Sequence, residues 1–295
     1  MPNTCIILNP AAGSVKDANA LMERLRSLPA TTLKITTNRS SAGRFARAAL
    51  KRGCDLIVAA GGDGTLNQVI NGIGERSNQA QVGLIPLGTG NDFARTLGIP
   101  TDIDQCLELL LARHTRAIDL VRVTSDRTRY FVNVSAGGFS GLLNEKLTPE
   151  LKKSWGPLAY LRCAAATLPE LRAYRTQIAL DDKETLSESL YNVIIGNGRY
   201  VAGGIPVAPE ASPDDGLLDL VLIPERPVAD LAILAPQMLT GHHLSSGSII
   251  YRRAARISVN SKPGMWFNVD GELVGNEPAV FQVLPRALQF IVPKP

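Results

Sequence analysis

Three short loops carry the residues best suited to hold a phosphate. They are Asn9-Pro10-Ala11-Ala12-Gly13-Ser14, Gly61-Gly62-Asp63-Gly64-Thr65 and Leu87-Gly88-Thr89-Gly90-Asn91-Asp92. Glycine lets backbone N–H groups approach an anion closely, and a helix that starts at such a loop turns its positive end toward it. Tight strand-to-helix turns use glycine for steric reasons as well, so each loop alone has both readings. Three loops at one sheet edge favour a phosphate site. None matches GxxxxGK[ST], and none matches GxGxxG with a later acidic residue. Asp63 and Asp92 sit inside these loops. A carboxylate beside phosphate needs a metal ion, a ribose hydroxyl or a proton; the alternative is a turn closed by its own side chain.

Two further acidic groups lie downstream. Residues 212–219 read SPDDGLLD, where Asp214, Asp215 and Asp219 with intervening carbonyls form either a hard-cation site or a solvated turn. Asn268-Val269-Asp270-Gly271-Glu272 reads as a DG hairpin, or as two carboxylates acting as base and orienting partner. His242 and His243 are expected at the surface, His114 ends a helix, and no GxSxG elbow supports hydrolase chemistry.

These loops need a scaffold. Apolar runs at 4–9, 33–37, 55–60 and 82–86 alternate with helical patterns at 16–28, from Ser40 or Ser41 to Gly53, from about Leu66, and at 102–112. Ser14 stands as the cap of the first helix. Asp55–Ala60 is apolar throughout, as a strand covered on both faces would be. This predicts a doubly wound α/β domain. Beyond it come strands at 117–124, 129–136, 174–180, 188–196, 217–223, 255–260, 265–270 and 279–284, with helices at 157–171 and 227–240. That pattern predicts an antiparallel, β-sandwich-like second domain. The division is placed at 1–125 and 126–295.

The 295 residues are 45% hydrophobic and 20% charged, which excludes a disordered chain. The net charge of +4 suits phosphorylated ligands or an anionic membrane surface and is too scattered for nucleic acid. Cys5, Cys54, Cys106 and Cys163 are far apart, without CxxC, which suggests no zinc site; two of them sit in apolar segments and read as buried inert thiols. No signal peptide or spanning run is visible, so a soluble cytosolic protein is expected.

In order along the chain stand Asn9-Pro10 through Gly13, GGDGT, PLGTGNDFAR, Gly137-Gly138-Phe139, Gly196-Asn197-Gly198, SPDDGLLD and Asp270-Gly271-Glu272. The series resembles the diacylglycerol kinase catalytic-domain superfamily, most closely its bacterial lipid kinases. GGDGT alone is shared with NAD kinases. The resemblance covers nearly the whole chain and implies an ATP-dependent kinase acting on a lipid hydroxyl, with a glycerolipid such as diacylglycerol as acceptor. It implies nucleotide contacts at Thr36, at Gly62, Asp63, Gly64, Thr65, Leu66, Asn67 and Gln68, and at Thr89; Asn9, Gly61, Asn91 and Asp92 complete the expected ATP set from the loops. It implies Mg²⁺ at Ser212, Asp215 and Leu217, the last through its carbonyl, and a base at Asp270 or Glu272, with Asp270 preferred and Glu272 assisting. It also implies peripheral association with the inner membrane face, and relatives that form homodimers. Helix 157–171 and segment 227–250 either admit the alkyl chains or pack into the core. Ser14 departs from relatives that carry a basic residue there, and Lys16 follows two positions on. An NAD-kinase-like or other soluble-acceptor kinase and a nucleotide-binding regulatory module are the alternatives.

Overall fold

The computed structural model describes residues 3–38, 40–139, 171–276 and 278–294. The chain forms two compact units, one of residues up to Leu120 with Pro285–Pro295, the other Val121–Leu284. The last segment joins the first unit, a return that the linear division at 125/126 does not describe.

The first unit contains β1 (Thr4–Leu8), α1 (Ala18–Arg26), β2 (Thr31–Ile35), α2 (Ser41–Lys51), β3 (Leu56–Gly61), α3 (Asp63–Ile73), β4 (Gln81–Pro86), α4 (Asp92–Leu97) and α5 (Ile103–Ala112). β3 is buried at every residue and pairs in parallel with β1 and β4; β2 continues the sheet beyond β1. Leu21 and Leu25 of α1 and Cys106, Leu107 and Leu110 of α5 pack on the sheet with Ile6, Leu8, Val58 and Ile85. Asp17, not Ser14, caps α1, accepting from Asn19 N and Ala20 N at 3.0 Å each. Asp102 caps α5 through Gln105 N at 3.0 Å. α3 starts at Asp63, three residues before the sequence pattern suggested, because the glycine turn is itself the helix start.

β5 (Thr115–Thr124) crosses the division between the units. The second unit continues with β6 (Thr128–Phe131), β7 (Val134–Gly138), β8 (Tyr174–Leu180), β9 (Glu184–Gly196), β10 (Tyr200–Val201), β11 (Ile205–Pro206), β12 (Leu218–Pro224), α6 (Val228–Thr240), β13 (Ile250–Ala254), β14 (Arg256–Lys262), β15 (Phe267–Val269), β16 (Glu272–Gly275) and β17 (Ala279–Ile291). Its strands run antiparallel in the order β16-β15-β7-β9-β8-β14-β17, with β12 on β9 and β13 on β12. Phe267 meets Phe281 edge to face at 5.1 Å, and Phe131 meets Phe281 at 6.3 Å, in a core shared with Ile178, Leu180, Val193 and Ile257. The single strand expected at 129–136 is broken at Val132-Asn133. Those two carbonyls instead accept from Asn197 Nδ2 at 2.7 Å and from Asn197 N and Gly198 N at 2.8 Å each. β17 extends to Ile291, and its Gln289 and Phe290 pair in parallel with Gln81 and Val82 of β4. The helix expected at 157–171 and Cys163 lie outside the described residues; Cys5, Cys54 and Cys106 are buried free thiols.

His243, expected at the surface, is fully buried, and its Nε2 lies 3.0 Å from the Val207 carbonyl. Burial pushes its pKa down. The neutral ring is therefore favoured by the fold. Its contribution to stability is complete above the ordinary imidazole value of about 6.5 and is lost as pH falls toward the depressed value, at up to about 1.4 kcal/mol per pH unit. Thermal melts between pH 7 and pH 5 are expected to show a falling Tm whose slope is smaller in His243→Phe.

Candidate active site

The first unit brings its loops to the carboxyl ends of β1, β3 and β4, where ligands of open parallel sheets bind. The loops hold one another. Asp63 accepts from Asp92 N through Oδ2 and from Phe93 N through Oδ1, both at 3.1 Å, so one carboxylate ties the second loop to the first turn of α4. Its role is a cap across 29 residues of sequence rather than a turn closed on itself. Asn91, in a left-handed conformation (φ 51°), folds its side chain back: Oδ1 accepts from Gly88 N at 2.9 Å and Nδ2 donates to Gly88 O at 2.8 Å. Leu87 N donates to Gly61 O at 2.9 Å. Ser14 donates through N and Oγ to Leu87 O, at 2.9 and 2.6 Å, which locks the first loop onto the third. Asn9 Nδ2 reaches Thr65 Oγ1 at 3.5 Å.

Gly62 and Gly88 explain why two glycines are needed. A Cβ on Gly88 would lie 2.6 Å from Gly62 Cα, and one on Gly62 would lie 3.0 Å from Gly88 Cα. Backbone meets backbone there, leaving no side chain to move aside. Gly64, by contrast, is exposed, and a Cβ there meets nothing within 4 Å. The first-turn amides of α3 at Asp63 and Gly64 have no carbonyl of their own helix to bond.

The expected nucleotide residues divide by position. Gly62, Asp63, Gly64, Gln68, Thr89 and Asn91 reach the loop surface to some degree, and Thr36 follows β2, its N–H donating to Leu8 O at 2.9 Å. Gly61, Thr65, Leu66, Asn67 and Asp92 are buried. Leu66 packs in the interior, and Asn67 accepts from Asn71 Nδ2 through both its oxygens. These buried residues shape the loops from beneath.

In the second unit, Asp270 (φ 45°) and Gly271 (φ 93°) form a two-residue turn between β15 and β16. Asp270 makes three hydrogen bonds to the segment at the start of β7. Oδ1 accepts from Val134 N at 3.1 Å, Oδ2 from Val132 N at 3.4 Å, and its own N donates to Val134 O at 3.2 Å. The Glu272 carboxylate is 43% exposed, with Arg129 Nε at 3.9 Å. Asp270 therefore fixes the turn, and Glu272 offers the more open carboxylate. The family resemblance implied a base at either residue, with Asp270 preferred and Glu272 assisting.

The residues expected to bind Mg²⁺ do not fit a cation. Asp215 Oδ1 accepts from Leu217 N at 3.0 Å, and its other oxygen is held by the Arg253 guanidinium. Ser212 donates its hydroxyl to Asp214 at 2.8 Å. Among the described residues no group of three or more His, Cys, Asp or Glu side chains is placed to hold a metal. Arg253 stands directly opposite Asp219 in the β12–β13 register, with its Nε 3.6 Å from the buried Asp219 carboxylate. Tyr251 also donates to Asp219, and burial raises the Asp219 pKa against the pull of these partners. Sequence reasoning missed Arg253, since only the pairing of two distant strands reveals it. A guanidinium already fills the role of counter-charge. Melting in excess chelator is expected to give the same Tm as melting in Mg²⁺, and Arg253→Gln is expected to lower Tm in both, because it leaves a buried carboxylate uncompensated.

Comparison with known proteins bears on both units. Residues 3–123 match the diacylglycerol kinase catalytic domain, and residues 133–292 match the YegS C-terminal NAD kinase beta sandwich-like domain. The chain is 34% identical to a diacylglycerol kinase of Staphylococcus haemolyticus over 98% of its own length and 88% of the relative's. It is 35% identical to a diacylglycerol kinase of Bacillus subtilis over 100% of its length and 97% of the relative's. A crystal structure of a diacylglycerol kinase from Bacillus anthracis shares the fold, with TM-score 0.82 at 22% identity over 99% of this chain and 97% of that one. An NAD kinase from Archaeoglobus fulgidus in complex with ATP matches with TM-score 0.53 at 14% identity over 98% and 93%. Identity at this level along the full chain, with both units matched, means that the protein belongs to the diacylglycerol kinase family.

Proposed function

We propose that the protein is an ATP-dependent lipid kinase that transfers the γ-phosphoryl group of ATP to a hydroxyl of diacylglycerol or a related glycerolipid. The observation that carries this reading is the set of interlocked loops at the carboxyl edge of the parallel sheet, with the Asp63 and Gly64 amides at the start of α3. Such a rim suits the polyphosphate of ATP. Residues 1–125 then serve the nucleotide, with Asn9, Thr36, Gly62, Asp63, Gly64, Gln68, Thr89 and Asn91 nearest to it. Residues 126–284 serve the acceptor, while the returning segment Pro285–Pro295 completes the first unit. Magnesium enters with ATP as part of the substrate, not as a resident ion at Asp215. Phosphoryl transfer rests on positioning and charge neutralisation. The acceptor oxygen attacks the γ-phosphorus, the bond to the β-bridging oxygen breaks, ADP leaves, and Glu272 takes the hydroxyl proton. Asp270 holds the turn that presents Glu272.

No helix of the described residues is long and apolar enough to cross a membrane. A cytoplasmic enzyme that visits the inner membrane face fits this reading. The likeness to NAD kinases keeps a soluble acceptor as the second reading. Transfer of label from γ-labelled ATP to a panel of lipids in mixed micelles decides between them. A labelled lipid, absent with Glu272→Gln, is the expected result. Label on NAD or a sugar, with none on any lipid, supports the second reading instead.

A further inference from the structure

The strand that carries Glu272 is tied to the segment 127–134 at both ends. The Arg127 guanidinium donates to the Leu273 carbonyl, and Asp270 accepts from Val132 N and Val134 N. Between these ties stand Arg129 and Glu272, with Arg129 Nε 3.9 Å from Glu272 Oε2. That separation is an ion contact, too long for a hydrogen bond. Among the described residues neither side chain makes a hydrogen bond, and each has the other as its ion partner.

Local structure explains this open pair. Arg129 shares one side of β6 with Phe131, which is buried in the main core of the unit. Its stem therefore runs along the edge of that core, and Nε is shut off from solvent without a partner. The side chain is still 34% exposed, with the outer nitrogens of the fork open to solvent. A buried donor left unpaired is a cost to the fold, and an exposed ion contact repays little of it. Stability alone therefore gives no account of an arginine at this position.

We propose that Arg129 is a catalytic residue of the second unit, whose outer nitrogens donate to oxygens of the phosphoryl group as it arrives at the acceptor hydroxyl beside Glu272. The inference rests on the lipid-kinase reading, with Glu272 as base. As the bond from acceptor oxygen to phosphorus forms and the bond to ADP breaks, the proton passes to Glu272; Arg129 gives up no atom and no electron pair. Its part is charge. The phosphoryl group is anionic, and so is Glu272 until it takes the proton, so the two need a cation between them. A guanidinium fork matches phosphoryl oxygens, and donors not spent on Glu272 meet them without first breaking a bond. The ligand class is a phosphomonoester, the product of the transfer.

The test measures product binding, which needs no turnover. The full chain, without ATP, is titrated in a calorimeter with dihexanoyl phosphatidate below its micelle concentration, and with dihexanoylglycerol. R129Q is expected to bind the phosphatidate about 100-fold more weakly and R129K about tenfold, the loss of the charged fork and of one charge-assisted hydrogen bond. Affinity for dihexanoylglycerol and Tm are expected to stay at wild-type values. The same loss is expected when R129Q is added to E272Q, because the guanidinium meets the phosphate itself. Absence of phosphatidate binding by the wild-type chain, or wild-type affinity in R129Q, would overturn the inference. So would a loss that disappears in the E272Q background, which would mark Arg129 as a holder of Glu272. If R129Q does not fold, R129K decides, and wild-type affinity there overturns the inference too. Turnover of dihexanoylglycerol with ATP separates the two levels. Its absence in the wild-type chain counts against the kinase reading, while normal turnover in R129Q counts against Arg129 alone.

Discussion

Glu272→Gln is expected to lower phosphoryl transfer by about 10²–10⁴-fold, the range for loss of a general base, while Tm and ATP affinity stay at wild-type values. The substitution keeps size and removes the charge from a side chain that is 43% exposed, so little folding energy is at stake. Asp270→Asn is expected to behave differently. Both oxygens of Asp270 accept backbone N–H groups, and an amide can offer only one acceptor oxygen. The unmatched amide, of Val132 or Val134, costs about 1–3 kcal/mol, seen as a fall in Tm. Activity would follow the fraction folded and the order of the turn. Single-turnover rates and melting curves of both variants separate a proton acceptor from a turn-holder. The reverse pattern, an inactive Asp270→Asn with wild-type Tm and an active Glu272→Gln, would restore the order of roles that the sequence suggested.

Gly88→Ala is expected to weaken nucleotide binding strongly. The added methyl would lie 2.6 Å from Gly62 Cα and 2.8 Å from Asn91 Oδ1, so the second and third loops must part. Overpacking of this kind costs about 1–3 kcal/mol, or roughly 5–150-fold in affinity if the strain falls on the bound geometry. Titration with a fluorescent ATP analogue checks this. Gly64→Ala is the control for the fold, since its methyl meets nothing and its Tm should not move. Equal ATP affinity in wild type and Gly88→Ala would show that the close approach of the loops serves folding alone.

What could be read from the sequence is local. The strand-to-helix alternation to residue 112, the glycine loops and the Asp270-Gly271 hairpin all rest on neighbours within a few positions, and the family resemblance rests on the same segments. Roles that depend on distant pairing could not be read. Asp63 had two readings, a group for metal, ribose or proton and a turn closed by its own side chain, and neither shows that its oxygens accept the first-turn amides of α4. Asp215 looked like a cation ligand until β13 brought Arg253 across from β12. Ser14 had the chemistry of a helix cap but is drawn to Leu87 O, leaving the cap to Asp17. His243 follows the end of α6 in a polar stretch, and only the tertiary fold buries it.

The pairing of β17 with β4 has a consequence for synthesis of the chain. Gln289 and Phe290 lie against Gln81 and Val82, Arg286 N donates to Asp119 Oδ1 at 2.7 Å, and Ala287 O accepts from Ser77 Oγ at 2.8 Å. Phe290 also packs edge-on against Phe93 of α4 at 5.7 Å. On the ribosome, the strand that completes the first unit is made after every strand of the second. The first unit therefore waits, with one side of β4 unpaired and Phe93 uncovered, until the second unit has been translated. A chain built in this order completes its first unit only once its second has been made.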